Sequence, residues 1–259
     1  MARLSVFQRH ALRSRVLAFQ RCLALARQPG YLGRYPTQSL HLANLTLADN
    51  EYLTPEHALA YLAKADGIPH RSEGEAVLLS FVPRKARRIL DLGTGDGRLL
   101  ALLHSHCPEA KLIGLDFSPT MIAAASARFG TDPRVEIRHH DLDTPLPDDL
   151  FDVVVSSFAI HHCLNSRKRS LYSEIYDLLE PGGVFCNLEH VSSPTYALHT
   201  KFLDDMGAST GDEDPSNILL DVQTQLQWLS EIGYDDVDCY WKWLELALFG
   251  GVRVERIGK

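Results

Sequence analysis

The sequence predicts an α/β protein built on an open, mostly parallel sheet with helices on both faces. Three observations point there. From Arg88 onward, short apolar runs alternate with amphipathic ones, the pattern of strands joined by crossover helices. The first run, Ile89-Leu90-Asp91-Leu92, passes directly into Gly93-Thr94-Gly95-Asp96-Gly97 and a helical pattern from Arg98. Such a turn brings glycine backbone close to whatever lies above the strand's carboxyl end. The last two runs, 235–241 and 244–254, are too near each other for a crossover and form an antiparallel hairpin on the sheet edge.

Taken in order, residues 1–29 carry few helix breakers and set Leu4, Phe7 and Ala11 apart from Arg9 and Arg13, until Pro29-Gly30 ends the pattern. Residues 31–53 read as an arm. Thr54-Pro55-Glu56 opens a helix with a threonine N-cap, proline at the first helical position and an acid at the positive end of the dipole. A helix over 72–81 follows and stops at Pro83. The strand over 88–92 leads to a helix over 97–106. Lys111–Asp116 is the second strand, and Ser118-Pro119 starts a helix to Phe129. Val135–His139 and Phe151–Ser157 are the third and fourth strands. A helix over 167–179 runs into Pro181-Gly182-Gly183, and 184–189 is the fifth strand. Pro194 begins a helix to Met206, and Asp221–Ile232 places Leu226, Leu229 and Ile232 on one face before Gly233. The chain thus divides into a basic N-terminal extension (1–48), a helical cap (49–86) and a sheet domain (87–259).

Charge is unevenly placed. Residues 1–48 hold seven arginines, no lysine and no acid, a +7 that leaves −14 on the remainder of a chain whose net charge is −7. An acidic body is ill matched to a polyanion such as duplex DNA, so nucleic acid is not the expected partner. The acid-free start fits either an organellar transit peptide or a helix with a solvated basic face. The rest reads as cytoplasmic, with no apolar run near the ~20 residues a membrane span needs. The five cysteines are scattered with no C-x-x-C, which argues for a reducing compartment and against a disulfide framework or a zinc site.

The chemistry gathers at the carboxyl ends of the strands, where open α/β sheets bind ligands. A dinucleotide turn would read G-x-G-x-x-G; here the third glycine comes one residue early, and Asp91 and Asp96 flank the turn. Two carboxylates repel a pyrophosphate and suit a ligand carrying an amine and a sulfonium, as S-adenosylmethionine (SAM) does. Asp116 follows about 20 residues later, where an acid accepts from both ribose hydroxyls. Asp141 sits after strand 3, near the place of an adenine amine. Strand 4 ends in Ser156-Ser157-Phe158-Ala159-Ile160-His161-His162 and strand 5 in Glu189-His190.

Asp91-Leu-Gly93-Thr-Gly95-Asp-Gly97, Leu115-Asp116-Phe-Ser-Pro-Thr-Met121, Asp141-Leu142, Phe151-Asp-Val-Val-Val155 and Leu179-Glu-Pro-Gly-Gly183 together resemble the class I SAM-dependent methyltransferases over roughly residues 72–254. The resemblance implies a Rossmann-like, seven-stranded sheet and a cofactor set of Asp91, Gly93, Thr94, Gly95, Asp116, Phe117, Met121, Asp141 and Leu142, with Ser156 or Ser157 lining the site. It also implies SAM as cofactor, S-adenosylhomocysteine as product and an N-terminal lid that includes Tyr52.

Where the acceptor is a phenol, carboxyl or amine, its proton must be removed, and histidine suits that task near neutral pH. His161, His162 and His190 are the candidate bases, beside Glu189. Trp241 and Trp243 alternate onto one face that reads as core, and Cys163 reads as a small buried hydrophobe. No H-x-x-x-H or similar spacing supports a metal site. The expected activity is methyl transfer to oxygen or nitrogen of a small molecule. The alternatives are an RNA-modifying or carboxy-SAM-type enzyme, to which residues 188–190 and the C-terminal segment bear a faint similarity, and an inactive SAM-binding partner protein. Residues 204–227 contain no arginine or lysine to hold the extra carboxylate of carboxy-SAM.

Overall fold

The computed structural model describes residues 54–56, 58 and 67–254. The basic extension, most of the segment to residue 66 and Tyr52 lie outside the described residues, so the expected N-terminal helix, arm and lid do too. The start of the expected helix at Thr54 is visible: Pro55, Glu56 and Ala58 are helical, and the Ala58 N–H donates to the Thr54 carbonyl at 3.2 Å.

The chain then forms α1 (Arg71–Phe81), β1 (Arg88–Leu92), α2 (Arg98–His106), β2 (Lys111–Asp116), α3 (Pro119–Phe129), β3 (Val135–His139), β4 (Phe151–Ser157), a single 3-10 turn (Ile160–His162), α4 (Asn165–Leu178), β5 (Leu179–His190), α5 (Tyr196–Met206), α6 (Val222–Ile232), β6 (Tyr234–Trp243) and β7 (Leu246–Arg253). The seven strands lie in the order β3-β2-β1-β4-β5-β7-β6. Pairing is parallel from β3 to β5 and antiparallel for β5–β7 and β6–β7. The sheet therefore has the parallel body and the closing antiparallel hairpin that the sequence predicts.

Period-2 alternation sends the strand side chains into two apolar layers. Leu90, Leu92, Val154, Phe185 and Phe249 meet Leu171, Tyr172 and Ile175 of α4 and Leu229 of α6. Ile89, Leu112, Val153, Val155, Cys186 and Leu248 meet Leu78 of α1 and Leu99, Leu100 and Leu103 of α2. Each fully buried leucine of α2 contributes about 1.5–3 kcal/mol. Helix ends follow local chemistry: the Asp221 carboxylate accepts from the Thr224 N–H at 2.8 Å at the start of α6, and Gly233 takes the left-handed conformation at its end. Among the described residues no helix is long and apolar enough to cross a membrane.

Two boundaries differ from expectation. Strand β5 starts at Leu179, which pairs with Phe151, and Glu180–Gly183 then loop out before Val184 resumes opposite Val153. The expected turn is thus a bulge within the strand, with Gly182 at φ 80°. Strand β6 is bulged twice, between Asp235 and Asp238 and between Cys239 and Trp241, as it pairs with β7. Trp241 nonetheless packs against the buried layers and Trp243 against Phe202.

Candidate functional site

Strand order reverses between β1 and β4, and a cavity opens above their carboxyl ends, as open α/β sheets require. Its floor is the glycine turn. Gly93 adopts φ 69°, and a Cβ there would stand 2.1 Å from the Cβ of Ala159 after β4, so only glycine lets the two loops meet. Gly97, at φ 80°, abuts the Phe129 ring in the same way. The turn is fastened by side chains at its edges. Thr94 Oγ1 donates to Asp91 Oδ2 at 2.7 Å, and the Gly95 N–H donates to Asp116 Oδ2 at 2.8 Å. The Ser118 N–H donates to the other oxygen of Asp116 at 2.9 Å. Burial pushes the Asp91 carboxyl up to about 7, opposed by the Thr94 hydroxyl. Burial also raises Asp116, against the N–H groups of Ser118 and Gly95.

The cavity wall is less acidic than the sequence suggests. Glu75 of α1 grips the Arg98 guanidinium with both oxygens, at 2.8 and 3.0 Å, and also accepts from Arg71 Nε at 3.0 Å. Arg71 lies over the Phe158 ring, 5.3 Å from its centroid. Asp96 is ion-paired with Arg128 on α3. The repulsion of a pyrophosphate expected from Asp91 and Asp96 is therefore partly cancelled by arginines that the fold brings in from 71, 98 and 128.

Beyond β4 and β5 lies a second assembly, made of histidines and carboxylates. His161 Nδ1 and Glu189 Oε1 are 2.5 Å apart, both buried. The His162 ring lies 4.0 Å from the His161 ring, and its Nδ1 is 2.9 Å from Ser216 Oγ. His190 Nε2 is 3.0 Å from Glu245 Oε2, whose second oxygen meets His199 Nδ1 at 2.9 Å. Burial, then the neighbouring His190 and Lys168, hold His161 well below the ordinary histidine value. Burial and then His161 bring His162 to about 3. Glu189 is pushed up to about 7 by burial, opposed by the His190 N–H and Lys168, and the buried Lys168 falls to about 8. Burial thus disfavours the charged form of both His161 and Glu189.

Residues 89–183 match the family described as a methyltransferase domain. A demethylmenaquinone methyltransferase of Thermus thermophilus is 32% identical over 145 residues, 55% of this chain and 64% of that protein. A malonyl-[acyl-carrier protein] O-methyltransferase of Marinomonas sp. is 38% identical over 121 residues, 45% of this chain and 44% of that protein. The structure of human N-acetylserotonin methyltransferase in complex with SAM superposes with a TM-score of 0.59 at 19% identity, covering 79% of this chain and 58% of that one. Residues 89–183 are thus similar to a methyltransferase domain, on a fold shared with SAM-dependent methyltransferases. The aligned stretches span about half to two-thirds of the curated relatives, 44% and 64% of their lengths.

The cofactor of these methyltransferases fits the polar atoms that the cavity presents. Four buried side-chain atoms lack a hydrogen-bond partner among the described residues, and three of them, Asp91 Oδ1, His140 Nε2 and Ser157 Oγ, belong to residues that line this cavity. Buried polar atoms left in this way mark a place where a polar ligand completes the bonding. Of the residues expected to contact SAM, the fold gathers Asp91, Gly93, Thr94, Gly95, Asp116, Phe117, Met121, Asp141, Leu142 and Ser157 around the cavity. Ser156 lies outside it: fully buried, its Oγ donates to the Leu92 carbonyl at 2.8 Å. Of the candidate bases only His162 lines the cavity, while His161 and His190 stand behind it.

Sequence reasoning missed Arg71, Phe158, Glu245 and Ser216. Phe158 holds φ 52°, fixed by its N–H on the Leu188 carbonyl at 2.8 Å, a strained conformation at the cavity mouth. Glu245 sits in a two-residue hairpin loop, which reads as solvent-exposed, yet it is fully buried. No local pattern marks any of the four.

Proposed function

We propose that this chain transfers the methyl group of SAM to an oxygen or nitrogen of a small-molecule acceptor, with His162 as the general base. The observation that carries the reading is that His162 shares one cavity wall with the glycine turn, Asp116 and Asp141. Asp91 and the Gly93–Gly95 backbone hold the cofactor's amino-acid end, Asp116 accepts from the ribose hydroxyls and Asp141 faces the adenine amine. Bound SAM supplies a methyl carbon on a positively charged sulfur. The chain's own part is to align the acceptor with that carbon, exclude water and remove the acceptor's proton. His162 is neutral at pH 7, because burial lowers it to about 3, so its ring nitrogen carries a lone pair. A weak base suffices for an oxygen acceptor, whose proton becomes strongly acidic as the oxygen gains a methyl group.

One relative's name gives demethylmenaquinone as its acceptor, which fits a small molecule, and the other's gives transfer to oxygen on a malonyl group carried by an acyl-carrier protein. The division at residues 48 and 86 belongs to the same proposal, with the 49–86 cap contributing Arg71 to the cavity wall. The test is incubation of the full chain with methyl-labelled SAM and panels of carboxylic acids, phenols, amines and bulk tRNA. Label is expected in one small-molecule class. Preferential labelling of tRNA overturns the acceptor assignment, and no heat on titrating SAM in calorimetry overturns the whole reading.

A further inference from the structure

The first residue of α1 reaches the cavity from outside the sheet. Arg71 is buried and lines the cavity together with Asp91, Gly93, Thr94 and Arg98. Its Nε donates to Glu75 Oε1 at 3.0 Å, one turn along the helix, and its guanidinium lies over the Phe158 ring. A planar guanidinium held at one edge by a carboxylate and on one face by a ring is fixed in orientation. The helix that carries it is fixed as well. Gly74 lies so close to the sheet that a Cβ there would stand 2.8 Å from Leu188 Cδ1 of β5, Leu78 is fully buried, and the His70 ring lies 4.3 Å from that of Trp243.

Charge and hydrogen bonding at this end of the cavity point to a ligand. Glu75 accepts from Arg71 and, through both oxygens, from Arg98, so one negative charge stands between two positive ones. Asp96 is ion-paired with Arg128. Arg71 also acts on Asp91, whereas the charge that acts on Asp116 is that of His139, which puts Arg71 at the Asp91 end. Asp91 Oδ1 is buried with no hydrogen-bond partner among the described residues. A cation and an unbonded acceptor oxygen on one wall are the complement of an α-amino acid, whose carboxylate and ammonium share one carbon. The glycine turn itself is poorly placed to take the carboxylate. Its N–H groups at Thr94, Gly95, Gly97 and Arg98 donate to the Leu115 carbonyl, the Asp116 carboxylate, the Thr94 carbonyl and the Asp96 carboxylate.

We propose that Arg71 is a cofactor-binding residue that receives the α-carboxylate of SAM, beside the Asp91 oxygen that takes its ammonium group. The proposal rests on the reading of the cavity as a SAM site. It adds, from the helix before the first strand, a partner for the one negatively charged group of the cofactor, which Asp91, Asp116 and Asp141 repel.

The test is calorimetric titration of the full chain with SAM and with decarboxylated SAM, which keeps the sulfonium and the amine and lacks the carboxylate. The wild type is expected to bind decarboxylated SAM about tenfold or more weakly, the worth of a charge-assisted hydrogen bond. Arg71→Met is expected to weaken SAM by a similar factor and to leave decarboxylated SAM within about twofold, so that the preference disappears. Arg71→Lys, which keeps the charge and loses the fork, is expected to retain part of it. A purely structural role for Arg71 weakens both ligands alike and leaves the preference intact in Arg71→Met, and that result overturns the proposal. Equal affinity of the wild type for the two compounds overturns it without any variant. Failure of SAM itself to bind brings down the cofactor reading, and the proposal with it.

Discussion

The two halves of the site are built in opposite ways. The cofactor half is local: Thr94 reaches Asp91 across three residues, Gly95 reaches Asp116 across 21, and Ser118 reaches Asp116 across two. Much of it is backbone, shaped by glycines whose conformations no other residue adopts easily. The histidine–carboxylate half is distant: His161 meets Glu189 over 28 residues, His199 meets Glu245 over 46, His162 meets Ser216 over 54 and His190 meets Glu245 over 55. It is made of side chains from separate loops. A local, backbone-defined site leaves a motif in the sequence, and a side-chain network drawn from separate loops does not. This is why one half declares its ligand and the other declares only a type of chemistry.

The largest expected effect comes from breaking the local half at its closest approach. Gly93→Val drives a branched side chain into Ala159 at a backbone angle that valine does not tolerate. Calorimetry on the folded variant is expected to show no SAM binding; retained affinity would mean that the turn is not the cofactor's floor. Breaking the distant half leaves the cofactor in place. His162→Gln is expected to lower kcat by about 10²-fold or more, the usual worth of a general base, while SAM affinity stays within about twofold. A loss of SAM affinity equal to the loss in kcat would mean that the halves are not separable.

Much of the fold was legible for the same reason. The five strands of the parallel part, the capped helices at Ser118 and Asp221 and the closing hairpin rest on local rules, and the structure reproduces them within a few residues. Ten of the eleven expected cofactor residues line one cavity, and Ser156 does not because strand alternation turns it toward the Leu92 carbonyl. The histidines were legible as a group, since each follows a strand's carboxyl end. Which of them faces the cavity was not, because that depends on the single 3-10 turn at Ile160–His162. Arg71 and Glu245 were illegible in a stronger sense. One enters from a helix before the first strand and the other from a hairpin tip, and only the three-dimensional arrangement gives either a role.

Titration offers a subtler contrast between the halves. His161 and His162 are held below 6.5, His162 to about 3. Below pH 6.5 the unfolded chain binds protons that the folded chain does not, and this term lowers stability as pH falls. Asp91 and Glu189 are raised from 3.8 and 4.5 to about 7. Up to about pH 7 the folded chain keeps protons that the unfolded chain has lost, so their term lowers stability as pH rises. The two oppose each other between pH 4.5 and 6.5. Replacing Asp91 by Asn and Glu189 by Gln removes one side, and the melting temperature of that variant is expected to climb more steeply with pH across this window than that of the wild type. An unchanged slope would show that these groups do not titrate as their burial dictates.

The smallest effect is expected at the rim of the distant half, and it tests whether that half is graded from core to surface. His199 stands between two carboxylates, buried Glu245 at 2.9 Å and exposed Glu213 at 3.4 Å. Burial alone would lower His199, but Glu245 and then Glu213 outweigh it and raise its pKa. The Glu213 contact is long and solvent-exposed, so Glu213→Gln is expected to cost no more than about 0.5–1 kcal/mol in urea denaturation and to lower the His199 pKa slightly. Glu245 is different, because it anchors His190 and His199 together with no exposure to solvent. Glu245→Gln leaves one histidine facing a donor instead of an acceptor, at about 1–3 kcal/mol. Equal costs for the two variants would mean that the network is no tighter at its core than at its edge, and that the hairpin tip does not carry Glu245 inward to hold the histidine–carboxylate half together.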